Sequence, residues 1–261
     1  MSTAFILPAF SLARRELVRF YRQRSRIIGV IGSPLVFWFL IGSGLKSSFR
    51  YPGAPPDVNY MEYFYPGTIV LIILFTSIFS TISIIEDRRE GFLQSVIVAP
   101  VPRSSIALGK IAGGTALSMI QAVSLLLLAP FVGFSFSAGS LLLVLVTLFV
   151  ISFGLTGLGF MIAWRMDSTQ GFHAIMNLFL IPLWLLSGSL FPASGAAGWL
   201  GSLMTINPLS YGVSALRQGL YLNGTAHIRD IASLPVSLFV SGLFSLATYR
   251  VSVALVSARN R

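Results

Sequence analysis

The sequence contains no cysteine, which excludes a disulfide framework and thiol chemistry and leaves the redox compartment undefined. Charged residues are also scarce: they make up 10% of the chain, against about 25% in an average soluble domain. Hydrophobic residues make up 55%, and the mean hydropathy is +0.83. This combination predicts one membrane domain, and the length leaves no room for a second globular domain.

Acidic residues are the rarer charge type, so the net charge is +10. The basic residues adjoin apolar segments, where they set membrane topology and bind anionic lipid. We therefore expect membrane lipid as a partner and no nucleic acid.

Two long segments carry no charge at all, residues 63–85 and residues 111–164. As one helix, the 54 residues of the second segment would be about 81 Å long, whereas the hydrocarbon of a bilayer is about 30 Å thick. The segment must therefore cross the membrane twice. The glycines and serines between Gly133 and Gly139 supply the turn.

The predicted fold is all-α, a polytopic membrane protein with six transmembrane helices. Residues 1–26 form a cytoplasmic interfacial amphipathic helix, and residues 27–258 form the transmembrane domain. Between the fifth and sixth spans, apolar residues at helical spacing are interrupted at Asn207-Pro208, which predicts two short re-entrant helices at the outer face. The six spans are predicted at about 27–45, 64–85, 106–132, 140–164, 172–191 and 231–256.

The distribution of lysine and arginine predicts the orientation. In this map fourteen of them lie on the side of the two termini, and four lie on the other side. Because cytoplasmic loops carry the excess of basic residues, both termini are predicted to be cytoplasmic. The four outer residues are Lys46, Arg50, Arg217 and Arg229.

The N-terminal segment holds six arginines within 26 residues. Helical spacing predicts that four of them share one face, opposite a face of apolar residues, and such a helix lies flat on the cytoplasmic leaflet. The alternative is a basic tail that only sets topology. The four arginines of the predicted membrane-surface face are Arg15, Arg19, Arg22 and Arg26.

The densest charged segment after the N-terminus lies between two uncharged runs, from Glu86 to Lys110. It must face water, since charges are costly in hydrocarbon. Within it, residues 92–99 are apolar at helical spacing and end at Pro100 and Pro102, which predicts a short amphipathic helix. Such a helix is either a docking element for a soluble partner or an ordinary juxtamembrane loop.

This segment resembles the cytoplasmic loop of ABC type-2 permeases, the membrane subunits of bacterial exporters for drugs, polysaccharides and lipid-linked oligosaccharides. The resembling features are acidic and basic charges, Glu-Gly, an apolar helix, Pro-Val-Pro-Arg and Gly-Lys; Gln94 departs from the frequent Glu. Two further matching motifs are Leu186 to Pro192 and Asn207 to Tyr211, the latter followed by Leu216-Arg217. In that family the loop couples to an ATPase. The residues that the resemblance assigns to coupling are Glu86, Arg89, Glu90, Gly91, Phe92, Leu93, Gln94, Pro100, Pro102 and Arg103.

The resemblance also implies outer gate helices, for which Asn207 and Pro208 form the hinge and Tyr211 and Arg217 are the gate groups. The alternative is that Asn207-Pro208 merely caps a surface helix. The resemblance further implies a bacterial inner-membrane complex of two permeases, expected as a homodimer, with two ATPase subunits that bind ATP and Mg. It implies that the complex exports an amphipathic or lipid-linked substrate and that this chain holds no cofactor.

No catalytic constellation is found. His173 and His227 are predicted on opposite membrane faces, so they cannot share a metal. Gly109-Lys110 fails the Walker A pattern, because residue 104 is Ser and residue 111 is Ile. A lipid-modifying enzyme or assembly factor would need a polar cluster at an interface. A proton-coupled carrier would need charge at mid-membrane, where none is predicted.

Overall fold

The computed structural model describes residues 3–22, 24–44, 60–223 and 231–258. Every regular element in these ranges is helical and none is a strand, which confirms the all-α prediction. A 3-10 turn lies at Ala193–Gly195. The α-helices are α1 (Thr3–Tyr21), α2 (Arg24–Gly44), α3 (Tyr60–Ser80), α4 (Ile82–Arg89), α5 (Phe92–Val98), α6 (Arg103–Leu126), α7 (Ala129–Val132), α8 (Ala138–Trp164), α9 (Thr169–Leu185), α10 (Gly198–Ile206), α11 (Pro208–Leu220) and α12 (Leu234–Ala258).

Four helical segments are long and apolar enough to cross a membrane: Tyr60–Arg89, Arg103–Leu126, Ala138–Trp164 and Leu234–Ala258. They match the second, third, fourth and sixth predicted spans. The first predicted span corresponds to α2, in which only Pro34–Gly44 counts as an apolar helix, and it is shorter than a span. The fifth predicted span corresponds to α9, which has 17 residues. Those two crossings stay predictions, as does the re-entrant character of α10 and α11.

Helix α3 forms the centre of the fold and packs against α2, α6 and α8. It is apolar on all sides, so no face of it favours water. Ile69, Ile72 and Ile73 have no exposed surface at all. Helix α3 is thus buried by protein over most of its length.

Small residues bring two helix pairs into close contact. On α6, a Cβ atom at Gly109 would lie 2.7 Å from the carbonyl oxygen of Ala9, and one at Gly113 would lie 2.8 Å from the Cβ of Glu16. Helix α1 therefore lies directly on α6, as glycines four residues apart permit. On α8, Gly154 approaches α12 in the same way, with a Cβ placed 2.7 Å from the Oγ of Ser245.

The N-terminal helix ends earlier than predicted, at Tyr21, and α2 begins at Arg24. Phe20 is buried against the protein, whereas the apolar run from Ile27 is predicted to enter the membrane, and one straight helix would not serve both. Arg26 belongs to α2 and not to α1, and its predicted place on the membrane surface stays a prediction.

The fifth predicted span is also shorter than expected, because α9 ends at Leu185 rather than near residue 191. Gly188 has a φ of +79°, a left-handed conformation that follows many helix ends and that glycine adopts at little cost. Beyond it, α10 and α11 are the two short helices predicted on either side of Asn207-Pro208. Lys46, Arg50, His227, Arg229, Arg259 and Arg261 lie outside the described residues.

Candidate functional site

The charged segment folds into two helices separated by a sharp turn. Helix α4 ends at Arg89, and α5 starts after Gly91, whose φ is +77°. A residue with a side chain is strained at such a φ, so glycine is required for the turn and not for space. The apolar segment predicted from residue 92 is confirmed as a helix, α5, and its chain turns extended at Ala99, before Pro100.

Asp87 is the centre of a cluster of charges that joins three helices. Its carboxylate has no exposed surface. Arg15 of α1 donates to both of its oxygens, at 2.8 and 2.7 Å, and Arg19 donates to Oδ1 at 2.8 Å. Lys110 of α6 donates to Oδ2. Asp87 therefore ties α4 to both α1 and α6.

Glu16 completes this cluster from the same helix as Arg15. It is buried, and its Oε1 accepts a hydrogen bond from the Nζ of Lys110 at 2.5 Å. Removing one partner from such a buried set leaves an uncompensated charge, which is strongly destabilising. We call Arg15, Glu16, Arg19, Asp87 and Lys110 the Asp87 cluster.

The surroundings of Arg15 favour the protonated, charged form of its guanidinium. Burial alone would lower its pKa, but the hydrogen bond to Asp87 and the neighbouring negative charges outweigh burial and raise the pKa above its ordinary value. Its guanidinium also lies 3.8 Å from the centre of the Phe92 ring at the start of α5. Arg15 thus connects α1 to both helices of the charged segment.

Helix α5 has an inner and an outer side. Leu93 is buried, and Arg103 donates to the carbonyl oxygen of Ile97 at 2.6 Å, which fixes the end of the helix. On the opposite side Gln94 is exposed, and Val98 exposes 83% of its surface. Gln94 and Val98 therefore form the side of α5 that faces away from the rest of the protein.

A second connecting segment is fastened to α4. Arg88 donates to the carbonyl oxygens of Trp164 and Met166, at 2.5 and 3.0 Å, and to the carboxylate of Asp167 at 2.9 Å. Arg89 donates to the carbonyl oxygen of Asp167 at 3.0 Å. The turn between α8 and α9 is therefore held against the charged segment.

The residues predicted for coupling occupy different environments. Glu86 binds Arg19 at 2.8 Å, whereas Glu90 is exposed and lies 3.5 Å from the same guanidinium. Pro100 and Pro102 are exposed. Of the arginines predicted on the membrane surface, Arg15 and Arg19 bind Asp87, and Arg22 is exposed just beyond the end of α1.

At the N-terminal end of α3, side chains converge on backbone carbonyl groups of the last turn of α9 and of the residues that follow it. Gly188 accepts from the hydroxyl of Tyr63 at 2.9 Å and from Arg217 at 2.8 Å. Asn207 donates to Leu183 at 2.7 Å. Tyr60 donates to Leu190 and Ser210 donates to Leu186. We call the carbonyls of residues 183–190 and these five donors the Gly188 clamp.

The predicted gate residues differ in their placement. Asn207 caps α11, accepting from the amide of Leu209 at 2.9 Å, with Pro208 as the first helical residue, and it is also a donor of the clamp. Tyr211 donates to the carbonyl of Thr205 on the exposed side. Arg217, counted among the outer basic residues, is 1% exposed, and its guanidinium lies 4.3 Å from the centre of the Tyr63 ring.

Three residues of the Asp87 cluster, Glu16, Asp87 and Lys110, were not among the predicted site residues. A signal for one of them exists in the sequence: Glu16 is the only acidic residue among the first 56 and stands between arginines. Within the described residues, no group of three or more His, Cys, Asp or Glu side chains could hold a metal ion.

Comparison with known proteins assigns the chain to a family of membrane transporters. The sequence model of the family described as ABC-2 type transporter matches residues 9–221. The chain is 28% identical to "Putative transport permease ycf38" of Cyanophora paradoxa, over 95% of this chain and 82% of that protein. It is 22% identical to "Daunorubicin resistance ABC transporter permease protein DrrB1" of Streptomyces coeruleorubidus, over 91% and 83%.

A third relative is matched over a shorter range. "Probable multidrug ABC transporter permease YbhR" of Escherichia coli K12 is 27% identical over 64% of this chain and 45% of that protein. The family match covers most of the chain, including both the Asp87 cluster and the Gly188 clamp. The chain is therefore a transmembrane permease of the ABC-2 type transporter family.

Proposed function

We propose that this permease exports an amphipathic or lipid-linked substrate and is driven by a separate ATPase subunit that docks on α5. The observation that carries the proposal is the outer side of α5, where Gln94 and Val98 are exposed on a helix that Leu93 and Arg103 fix to the protein. A docked subunit would bury it. The arrangement behind α5 is suited to passing on the motion of that subunit, because Phe92 and Arg15 connect α5 to the Asp87 cluster.

The cluster supplies stiffness between helices. A hydrogen-bonded ion pair fixes both distance and direction, whereas apolar contacts allow neighbouring side chains to slide. Through Asp87, movement of α5 and α4 reaches α1 and α6 together. Through Arg88, it also reaches the turn that precedes α9. The docking helix would thus move several helices at once.

A second copy of the permease fits the exposed side of α9. Leu178 and Phe179 expose 69% and 62% of their surfaces, and beside them His173 and Asn177 are exposed as well. An amide that faces lipid lacks hydrogen-bond partners, and polar side chains in membrane helices usually face another helix. We propose a homodimer across α9, with two ATPase subunits that bind ATP and Mg.

The proposed path ends at the Gly188 clamp. Its carbonyl acceptors are held by α3 on one side and α11 on the other, so separating these helices would release the segment after α9. Opening requires the loss of the hydrogen bonds that these carbonyls accept, including the one from the buried Arg217. In this proposal both termini are cytoplasmic and the complex lies in a bacterial inner membrane.

The test of docking is the substitution Val98→Glu, with Ser202→Glu on the exposed side of α10 as a control of equal charge. We expect Val98→Glu to weaken co-purification of the ATPase tenfold or more and to stop ATP-dependent export in proteoliposomes. Both variants should retain the thermal midpoint of the parent. Undiminished ATPase binding and export by Val98→Glu would refute docking on α5.

The test of the dimer uses the absence of cysteine from the chain. Asn177→Cys should form a disulfide-linked dimer on mild oxidation in membranes, whereas Phe239→Cys, 70% exposed on α12, should not. A crosslinked dimer through position 239 alone would contradict the proposed interface.

Export that collapses with the proton gradient while ATP is present would instead favour a proton-coupled carrier.

A further inference from the structure

The outer side of α1 exposes apolar and basic side chains together. Leu7 and Phe10 expose 67% and 66% of their surfaces, and Val18 exposes 44%. Arg14 and Arg22 are exposed and lie on the same stripe as Val18, at intervals of four residues. A helix face of this composition is suited to the boundary between lipid headgroups and acyl chains.

A groove of about 770 Å³ follows this stripe. Leu7 and Phe10 line it in the N-terminal part of α1, and further along the helix the lining is mainly basic, with Val18 between the arginines. Glu90 of the charged segment contributes to the wall. The groove therefore offers an apolar end and a cationic end to one ligand.

The arginines of the groove differ in their availability. Arg15 and Arg19 are engaged by Asp87, Glu86 and Glu90. Arg14 and Arg22 form no ion pair within the part of the chain that the structure describes. They stand eight residues apart, about 12 Å along the helix axis. Two uncompensated guanidinium groups thus border a groove with an apolar end.

We propose that this groove binds an anionic phospholipid of the adjacent leaflet, phosphatidylglycerol, with its phosphate held by Arg14 and Arg22 and an acyl chain against Leu7 and Phe10. A guanidinium binds phosphate through two parallel hydrogen bonds, which gives geometry as well as charge. Phosphatidylcholine has the same phosphate but adds a quaternary ammonium, which the two arginines repel. The site requires neither an ATPase nor transport, so it stands or falls independently of the proposed function.

The experiment measures lipid binding to the purified full-length chain by native mass spectrometry, with phosphatidylglycerol and phosphatidylcholine of identical acyl chains. The test variant is the double substitution Arg14→Ala and Arg22→Ala. The matched control is Arg165→Ala and Arg250→Ala, which removes two other exposed arginines that do not line the groove. All four side chains are exposed, so thermal midpoints should stay at the parent value.

Each arginine near a membrane surface changes the affinity for anionic lipid about fivefold. We therefore expect the groove variant to bind phosphatidylglycerol about 25-fold more weakly, with no change for phosphatidylcholine, and the control variant to stay within about twofold of the parent. An equal loss of phosphatidylglycerol affinity in both variants would show that the lipid responds to surface charge in general, and it would overturn the proposal.

Two further outcomes would also overturn it. If glycerol phosphate displaces phosphatidylglycerol at the concentration of the lipid itself, the apolar end of the groove contributes nothing. In the second outcome, a bound ATPase subunit abolishes lipid binding. If the Arg14→Ala and Arg22→Ala variant then loses ATPase binding but keeps lipid binding, the groove is a protein interface. Selective loss of phosphatidylglycerol, with the ATPase still bound, is the result that we predict.

Discussion

The two ends of the helical segment Tyr60–Arg89, which comprises α3 and α4, are held to their neighbours by different chemistry. At the end near α5, the Asp87 cluster joins α1, α4 and α6 through paired charges. At the opposite end, the Gly188 clamp joins α3, α9 and α11 through backbone carbonyl groups that accept from side chains. Both ends are buried, but paired charges join the helices at the first end, whereas hydrogen bonds to carbonyl groups join them at the second.

This difference sets the cost of opening each end. Separating a buried ion pair exposes each charge to a poorly solvating environment, whereas a carbonyl released from a hydrogen bond can be satisfied by a water molecule. The Asp87 cluster is therefore suited to move as one unit, and the Gly188 clamp is suited to open and close. The predictions below separate these two behaviours.

The largest effect is expected for Asp87→Ala. It leaves Arg15, Arg19 and Lys110 facing one another without their common anion, which should lower the free energy of unfolding by about 3–5 kcal/mol. The measurement is the loss of folded protein with temperature in detergent. Lys110→Met should recover part of the loss in the double variant. Asp167→Ala, at an 86% exposed side chain, is the control, and an equal loss there would contradict the prediction.

The next effect is expected at the clamp, for Arg217→Met. The variant removes a charged donor from the carbonyl of Gly188, and a hydrogen bond to a charged group contributes about 1.5–3 kcal/mol. We expect the clamp to open more often. A cysteine at Ser189, now buried, should then react faster with a thiol reagent, in the otherwise cysteine-free chain. An unchanged labelling rate would show that Arg217 does not restrain the clamp.

A smaller effect is expected for Gly91→Ala in the turn before α5. No atom lies within 4 Å of the added Cβ, so the cost comes only from the left-handed backbone and should be about 1–2 kcal/mol. The turn should reorient α5 and weaken binding of the ATPase, which titration calorimetry can measure. Gly201→Ala, at an equally open glycine within α10, is the control. Reduced binding by the control as well would assign the effect to altered folding.

The smallest effect is expected for Asn207→Asp. The carboxylate retains the cap of α11 but cannot donate to the carbonyl of Leu183, so the change isolates the contribution of the clamp. A loss of about 1 kcal/mol is expected, the usual contribution of one hydrogen bond. Asn207→Ala removes both contacts and should cost about 1 kcal/mol more. A thermal midpoint of Asn207→Asp equal to that of the parent would show that the hydrogen bond to Leu183 contributes nothing to stability.

The sequence predicts helices well where their extent depends on neighbouring residues in the chain. The uncharged run of residues 111–164, too long for one crossing, correctly predicted two helices with a turn near Gly133. Proline and glycine marked both ends of α5. The helix ends that the sequence misplaced, at Tyr21 and Leu185, depend on tertiary contacts, namely the packing of α1 on α6 and the left-handed Gly188.

The site could be predicted only in part, because pairing between distant charges is not visible along the chain. Asp87 and Lys110 were part of the charged segment, but nothing local indicates that both reach Arg15 or Glu16 from another helix. A basic amphipathic pattern also does not reveal which arginines face protein. Arg15 and Arg19 face Asp87, whereas Arg14 and Arg22 remain exposed.

The most direct test of the Asp87 cluster as the coupling device is the ratio of substrate exported to ATP hydrolysed, measured in proteoliposomes for the Arg15→Met variant. This substitution removes both hydrogen bonds to Asp87 and the contact with Phe92, but leaves the exposed side of α5 unchanged. We predict that the ATPase still binds and hydrolyses ATP, while export per ATP falls at least tenfold. An unchanged ratio in a folded Arg15→Met complex would contradict a role for the cluster in coupling.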